Sequence, residues 1–298
     1  MEWKQSKKAL GTDIEISVIT DDINIERRIN GVFDFFNSFE EEFSRFLPLS
    51  SLSFLNKEKK LKVSNRFLEL MKICKELNKK TSLYFNPLVD ISAIGYSNSF
   101  EKNNFVKNER KTDLNLDNVI INGNIITLGE NQNLDFGGIG KGYAVTLASS
   151  FLRNFGYDDF FINAGGDIYT SGLNDSGEKW IIGIENPFNG ELMASVNLSN
   201  QAIATSGNYK RKWTLGNEKF HHILNPKSGK NNFEIVSVSI IGDNCTETDA
   251  YTKAVYNMNI EDSINFIENN NLSGIITISS GKSFFSKDFV EKFDVKFY

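Results

Sequence analysis

The chain has 298 residues, 40% of them hydrophobic and 24% charged, the balance of a soluble globular protein able to bury a sizeable core. Net charge is −5 with both signs interspersed, so no basic stripe points to nucleic acid or to an anionic membrane, and any phosphate site has to be built locally. No apolar run approaches the roughly 18 residues of a membrane span. The opening residues Met1 to Lys8 hold no apolar leader core, so the expected location is cytoplasmic unless a leader has been removed. Cys74 and Cys245 stand far apart without metal-ligand spacing and read as two reduced, buried thiols.

In chain order, Asp13 to Thr20 sets Ile14, Ile16 and Val18 against polar neighbours, the period of a strand. From Ile23 to Phe46 the apolar residues Ile29, Val32, Phe33, Phe36, Phe39 and Phe43 recur at helical spacing, and this stripe reads as core. A second helix is expected over Arg66 to Leu77, capped near Ser64-Asn65. Residues 98–113 are polar and read as a surface excursion. Asn122-Gly123 between β-branched runs announces a hairpin over Val119 to Ile126. A helix follows at 141–155, then short strands at 159–163, 179–184, 193–198, 235–241 and 274–279, with helical patterns near 247–258 and 260–269 before the last. No repeat of 20–50 residues is present. The order implies one α+β domain over 1–298, with mainly antiparallel sheet.

Five segments carry candidate chemistry. Leu134 to Ala144 places four glycines in six residues at the start of a helix, where backbone can approach a ligand and helix N–H groups suit a phosphate. Lys141 adds a positive charge and Asp135 an acceptor; the spacing matches neither a dinucleotide fingerprint nor a Walker A loop, and a tight strand-to-helix turn explains the glycines equally well. Asn163-Ala164-Gly165-Gly166-Asp167 follows an apolar run and reads as a pocket wall or as a bulge with a capping Asp. Ala204-Thr205-Ser206-Gly207-Asn208-Tyr209 is the third. The fourth holds both histidines, His221 and His222, before the turn Asn225-Pro226-Lys227-Ser228-Gly229; adjacent strand residues point to opposite faces, so at most one faces a site. The fifth, Asp243 to Ala254, reads as a helix start with Thr246 as N-cap. Asp249 there is either a first-turn acid on the helix dipole or a hard oxygen ligand for Mg²⁺.

Taken in this order, the segments resemble the ApbE family of FAD:protein FMN transferases. Leu10-Gly11-Thr12 and Ser44-Arg45-Phe46, with Ser51-Leu52 and Leu55-Asn56, match its N-terminal motifs. The resemblance implies a T-fold-like α+β architecture with the active site between two lobes. It also implies transfer of FMN from FAD to a Ser or Thr hydroxyl of an acceptor electron-transfer protein, with AMP released and Mg²⁺ assisting. In that reading Asp135 and Lys141 contact FAD, Gly138 offers its carbonyl to the metal and Asp249 is the side-chain metal ligand. His222 lies beside the pyrophosphate as base or oxyanion partner. Gly165, Gly166, Asp167, Thr205 and Ser206 line the pocket, and Leu10 and Phe46 occupy positions where the family has Met and Tyr. One position departs: the family's helix carries Thr four residues after the metal-binding Asp, and here that metal position is Lys253, with Thr252 displaced by about 100° around the helix. FAD hydrolysis to FMN and AMP, and flavin binding without turnover, are the alternatives the same residues allow.

Overall fold

The computed structural model describes residues 1–96 and 112–298. In chain order they form β1 (Glu2–Ala9), β2 (Thr12–Ile19), α1 (Ile25–Phe43), α2 (Ser51–Glu58), β3 (Lys60–Lys62), α3 (Asn65–Lys80), β4 (Ile120–Asn122), β5 (Ile125–Thr127), α4 (Gly140–Asn154), β6 (Phe160–Ala164), β7 (Asp167–Ser171) and β8 (Trp180–Glu185). These are followed by β9 (Leu192–Leu198), β10 (Gln201–Gly207), β11 (Lys212–Leu215), β12 (Glu218–His221), β13 (Ile235–Gly242), α5 (Cys245–Tyr256), α6 (Ile260–Asn269), β14 (Ser273–Ile278), β15 (Ser283–Phe285), α7 (Phe289–Lys292) and β16 (Lys296–Phe297). The expected surface excursion at 98–113 lies outside the described residues except for its last two. The chain divides into two compact units, Met1–Ser38 with Ile139–Gly207 and Glu234–Tyr298, and Phe39–Gly138 with Asn208–Phe233.

The first unit is built on an eight-stranded sheet of order β1-β2-β6-β7-β10-β13-β14-β15, with every neighbouring pair antiparallel. Helix α4 packs on β6 and β7, and α5 packs on β10, β13 and α4. A three-stranded antiparallel sheet, β16-β9-β8, adds Trp180, Ile182, Ile184, Val196 and Leu198 to a core that also takes Ile168, Ile203, Ile241 and Ile275 from the large sheet. Covered in this way, β13 is buried along its whole length, which is why Ile235 to Ile241 reads as a near-continuous run and not as an alternation.

The second unit sets α2 and α3 beside the antiparallel sheet β3-β5-β4. The C-terminal end of the α1 stripe continues here as a phenyl cluster: Phe39 to Phe43 at 4.3 Å, Phe43 to Phe67 at 5.2 Å and Phe67 to Phe136 at 5.4 Å between ring centroids. Ser64 caps α3 by accepting the Phe67 N–H at 3.1 Å, as its sequence signature predicts. The two turn residues of the β4–β5 hairpin are Gly123-Asn124, one step beyond the expected Asn122-Gly123. A separate hairpin, β11–β12, carries Trp213, whose ring stacks on Tyr96 at 5.5 Å and Phe220 at 6.2 Å.

Two central strands of the large sheet, β7 and β10, are absent from the sequence reading. Their residues, Asp167-Ile168-Tyr169-Thr170-Ser171 and Gln201-Ala202-Ile203-Ala204-Thr205-Ser206-Gly207, mix Ile168, Tyr169 and Ile203 with small and polar residues and are mostly buried, so no apolar alternation marks them. Asn244, not Thr246, caps α5, accepting N–H groups of Thr246 at 2.8 Å and Glu247 at 3.3 Å. Asp249 therefore sits in the second turn of α5 and is fully buried, which removes the reading of it as a first-turn dipole acid.

Candidate functional site

The first unit gathers two lysines and two aspartates around the first turn of α4. Gly142 makes this possible: a Cβ there would lie 2.7 Å from the Asp249 Cβ, so only glycine lets α4 and α5 cross this closely. Its N–H donates to Asp249 Oδ2 at 3.1 Å. Lys253, one helical turn beyond Asp249, places its ammonium on Asp249 Oδ1. Lys141 pairs with Oδ2 of Asp167, the first residue of β7. Both aspartates are 0% exposed, whereas the lysine side chains keep 23% (Lys141) and 16% (Lys253) of their surface open. The carboxylates are thus fully buried, whereas each lysine side chain stays partly open. Ile139, the N-cap of α4, makes no side-chain capping bond, and of the first-turn N–H groups the one at Gly142 is answered by Asp249.

The two aspartates titrate in opposite directions. Burial, with Asp249 as a neighbouring negative charge, pushes Asp167 above the usual carboxylate range despite Lys141. Burial also presses on Asp249, but the Lys253 and Lys141 charges and the Gly142 N–H outweigh it and hold that carboxyl below its usual value. Oδ1 of Asp167 is buried with no hydrogen-bond partner among the described residues.

The remaining candidates of this unit frame the cluster. Gly165 and Gly166 form the turn from β6 to β7 with φ of +62° and +96°, and the Gly166 N–H donates to Asn163 Oδ1 at 2.9 Å. Ser206 is buried on β10, its hydroxyl 2.6 Å from Thr252 Oγ1, and Thr205 Oγ1 lies 2.8 Å from Ser239 Oγ. Leu10 and Gly11 turn β1 into β2 with φ of +54° and +67°.

In the second unit Asp135 is committed on both oxygens, accepting the Gly137 N–H at 2.8 Å and pairing with Arg45 Nε at 3.2 Å. Arg45 is the residue that sequence reasoning passed over. Its guanidinium lies 4.3 Å from the Phe46 ring centroid and 4.7 Å from that of Tyr96, donates from Nη1 to the Tyr96 carbonyl at 2.9 Å, and leaves Nη2 buried without a partner among the described residues. An arginine followed directly by an aromatic in Ser44-Arg45-Phe46 was the available signal. Phe46 keeps 42% of its surface exposed. Of the two histidines, His221 is buried. It accepts the Ile223 N–H on Nδ1 at 3.2 Å, so the proton sits on Nε2, which donates to the Asn232 carbonyl at 2.9 Å. Burial lowers its pKa to about 4. His222, just past the end of β12, is half-buried, with Nδ1 3.4 Å from the Arg211 carbonyl.

A family model described as the ApbE family matches residues 10–276. The chain belongs to the ApbE family. An ApbE relative named FAD:protein FMN transferase from Klebsiella pneumoniae is 32% identical over 131 residues, 43% of this chain and 40% of the relative. The chain thus matches well under half the length of the first relatives. Another of that name, from Buchnera aphidicola, is 24% identical over 270 residues, 85% of this chain and 78% of the relative. The crystal structure of the ApbE protein from Thermotoga maritima shares the fold with a TM-score of 0.89 at 24% identity, covering 97% of this chain and 98% of that one.

The magnesium expected of an ApbE chain needs several oxygen donors in a near-octahedral shell. In the first unit the one carboxylate expected to ligate it, Asp249, has Oδ1 taken by an ammonium and Oδ2 by a backbone N–H. Lys253, expected among the metal residues, is a cation and not a donor to one. Thr252 Oγ1 is already bonded: it donates to the Asp249 carbonyl at 2.7 Å, meets Ser206, and lies 3.5 Å from the Lys253 ammonium. Among the described residues no group of three or more His, Cys, Asp or Glu side chains is placed to hold a metal. This donor set does not fit Mg²⁺.

Proposed function

We propose that the protein transfers FMN from FAD to a Ser or Thr hydroxyl of an acceptor electron-transfer protein and releases AMP. The observation that carries this reading is the pair of partly open lysines, Lys141 and Lys253, anchored on fully buried carboxylates beside the first turn of α4, in a chain of the ApbE family. A pyrophosphate presents this arrangement with charges to neutralise.

In the reaction the acceptor oxygen bonds to the phosphorus on the FMN side. The bond from that phosphorus to the bridging oxygen breaks, and AMP departs with the electron pair. His222 receives the hydroxyl proton, and the two lysines balance charge on the phosphate oxygens. Asp249 and Asp167 fix where the ammoniums stand. Asp135 and the backbone at Gly138 hold FAD together with Phe46 and Leu10, and Gly165, Gly166, Thr205 and Ser206 wall the pocket. Arg45, paired to Asp135, positions that carboxylate. Magnesium is the one expected part of this scheme that the donor set argues against.

The test is incubation with FAD and an acceptor domain, read as flavin fluorescence on the acceptor in a denaturing gel and as AMP by chromatography. Labelling with equimolar AMP is expected, and His222→Ala should reduce its rate by about 10²-fold or more. Free FMN and AMP with an unlabelled acceptor, or FAD bound and left intact, would overturn the reading.

A further inference from the structure

We infer that Lys253 stands in this chain where a divalent cation would otherwise act, so that FAD is bound and its pyrophosphate cleaved without a metal. The inference rests on the flavin transferase reading and concerns the same site.

Three observations carry it. The ammonium is already seated on Asp249 Oδ1, and the i to i+4 spacing on α5 keeps it there. A metal taking this oxygen would have to expel the ammonium from a carboxylate that is 0% exposed and then sit beside that displaced like charge. The neighbouring hydroxyl, Thr252 Oγ1, donates to the α5 backbone, meets Ser206 and lies 3.5 Å from the Lys253 ammonium, so its surroundings already hold a lysine where a metal shell would form. Finally, 16% of the Lys253 side-chain surface stays open while Asp249 has none, so contact with an incoming phosphate oxygen falls to the lysine and not to the carboxylate. Lysine binds phosphate as a compact point charge with three donors, which is the service needed as the bridging oxygen leaves with AMP.

The experiment measures FAD affinity by fluorescence titration with EDTA and with excess Mg²⁺, and metal binding by electron paramagnetic resonance with Mn²⁺ as the probe. For the unsubstituted protein the two FAD affinities should agree within about twofold, and no Mn²⁺ should bind in the presence of FAD. Lys253→Thr removes the charge and opens Asp249 Oδ1. This variant should lose about tenfold or more of its FAD affinity in EDTA, regain it with Mg²⁺, and bind one Mn²⁺. Lys253→Arg keeps the charge and should stay insensitive to EDTA. One Mn²⁺ bound to the unsubstituted protein with FAD, or a tenfold loss of its FAD affinity in EDTA, would overturn the inference. Those two arms decide the matter even if Lys253→Thr does not fold. Metal-independent FAD binding without acceptor labelling would sink the transferase reading alone; labelling that requires Mg²⁺ would sink this inference alone.

Discussion

His221 and His222 are chemically identical neighbours, and the fold separates them by burial. His221 is 0% exposed and fully bonded as the neutral Nε2–H tautomer, so protonation has to break its acceptance of the Ile223 N–H inside the second unit. Its folded pKa of about 4 lies below the ordinary imidazole value of 6.5. The unfolded chain therefore binds more protons between those values, and stability rises with pH across pH 4 to 6.5. The effect amounts to about 3 kcal/mol lost on acidification through that window. Urea midpoints measured at several pH values should show this slope, and His221→Gln, which cannot titrate, should flatten it. An equal slope in the variant would mean another group is responsible. Adjacency alone does not tell the two rings apart; the end of β12 at His221 and the burial of that ring leave His222 the more open of the two.

At the scale of elements, the packing of α4 on α5 depends on one missing side chain. In a free helix, alanine at Gly142 would be favoured by about 1 kcal/mol. Here its Cβ would lie 2.7 Å from the Asp249 Cβ, with the Cys245 backbone closer still, and overpacking of that kind costs about 1–3 kcal/mol. The steric term should win: Gly142→Ala should lower the thermal midpoint and weaken FAD binding by shifting Asp249 and its lysine. A raised midpoint would show that the helices part easily. The helices themselves were legible because the signals that start them are local, such as the cap at Ser64 and the Phe stripe of α1. The strands β7 and β10 were not, because what makes them strands is their position in the middle of a covered sheet and not any pattern of their own. The chemistry-bearing segments were legible as motifs. The pairing that organises them, Lys141 on Asp167 and Lys253 on Asp249, joins residues 26 positions apart in one case and one helical turn in the other, and only the first needed the fold.

For the whole molecule, the large sheet has to end without recruiting another chain, and β1 shows how it does so. Among the described residues the strand pairs only with β2, and its sequence Glu2-Trp3-Lys4-Gln5-Ser6-Lys7-Lys8-Ala9 lacks the apolar alternation of its neighbour, which is why it was not recognised from sequence. Charged side chains on an open edge deter edge-to-edge pairing. Lys4, ion-paired with Glu15 of β2, and Lys8 are exposed there, as is Lys7, which reaches Asn30 and the Phe33 ring. Replacing Lys4 and Lys8 by Val changes the net charge from −5 to −7, two positive charges fewer. Two opposed outcomes follow from different scales. Greater net charge strengthens repulsion between molecules and favours the monomer. An unprotected, β-branched edge offers its free N–H and C=O groups to a second copy. Backbone pairing is local and short-ranged, whereas a two-charge change spread over this surface is screened beyond about 8 Å at physiological salt. The double variant should therefore self-associate. Sedimentation velocity at increasing concentration should show dimers or larger species that the unsubstituted protein does not form under the same conditions, and more of them at high salt. A variant that sediments like the parent would mean that twist or neighbouring side chains, and not the lysines, close this edge.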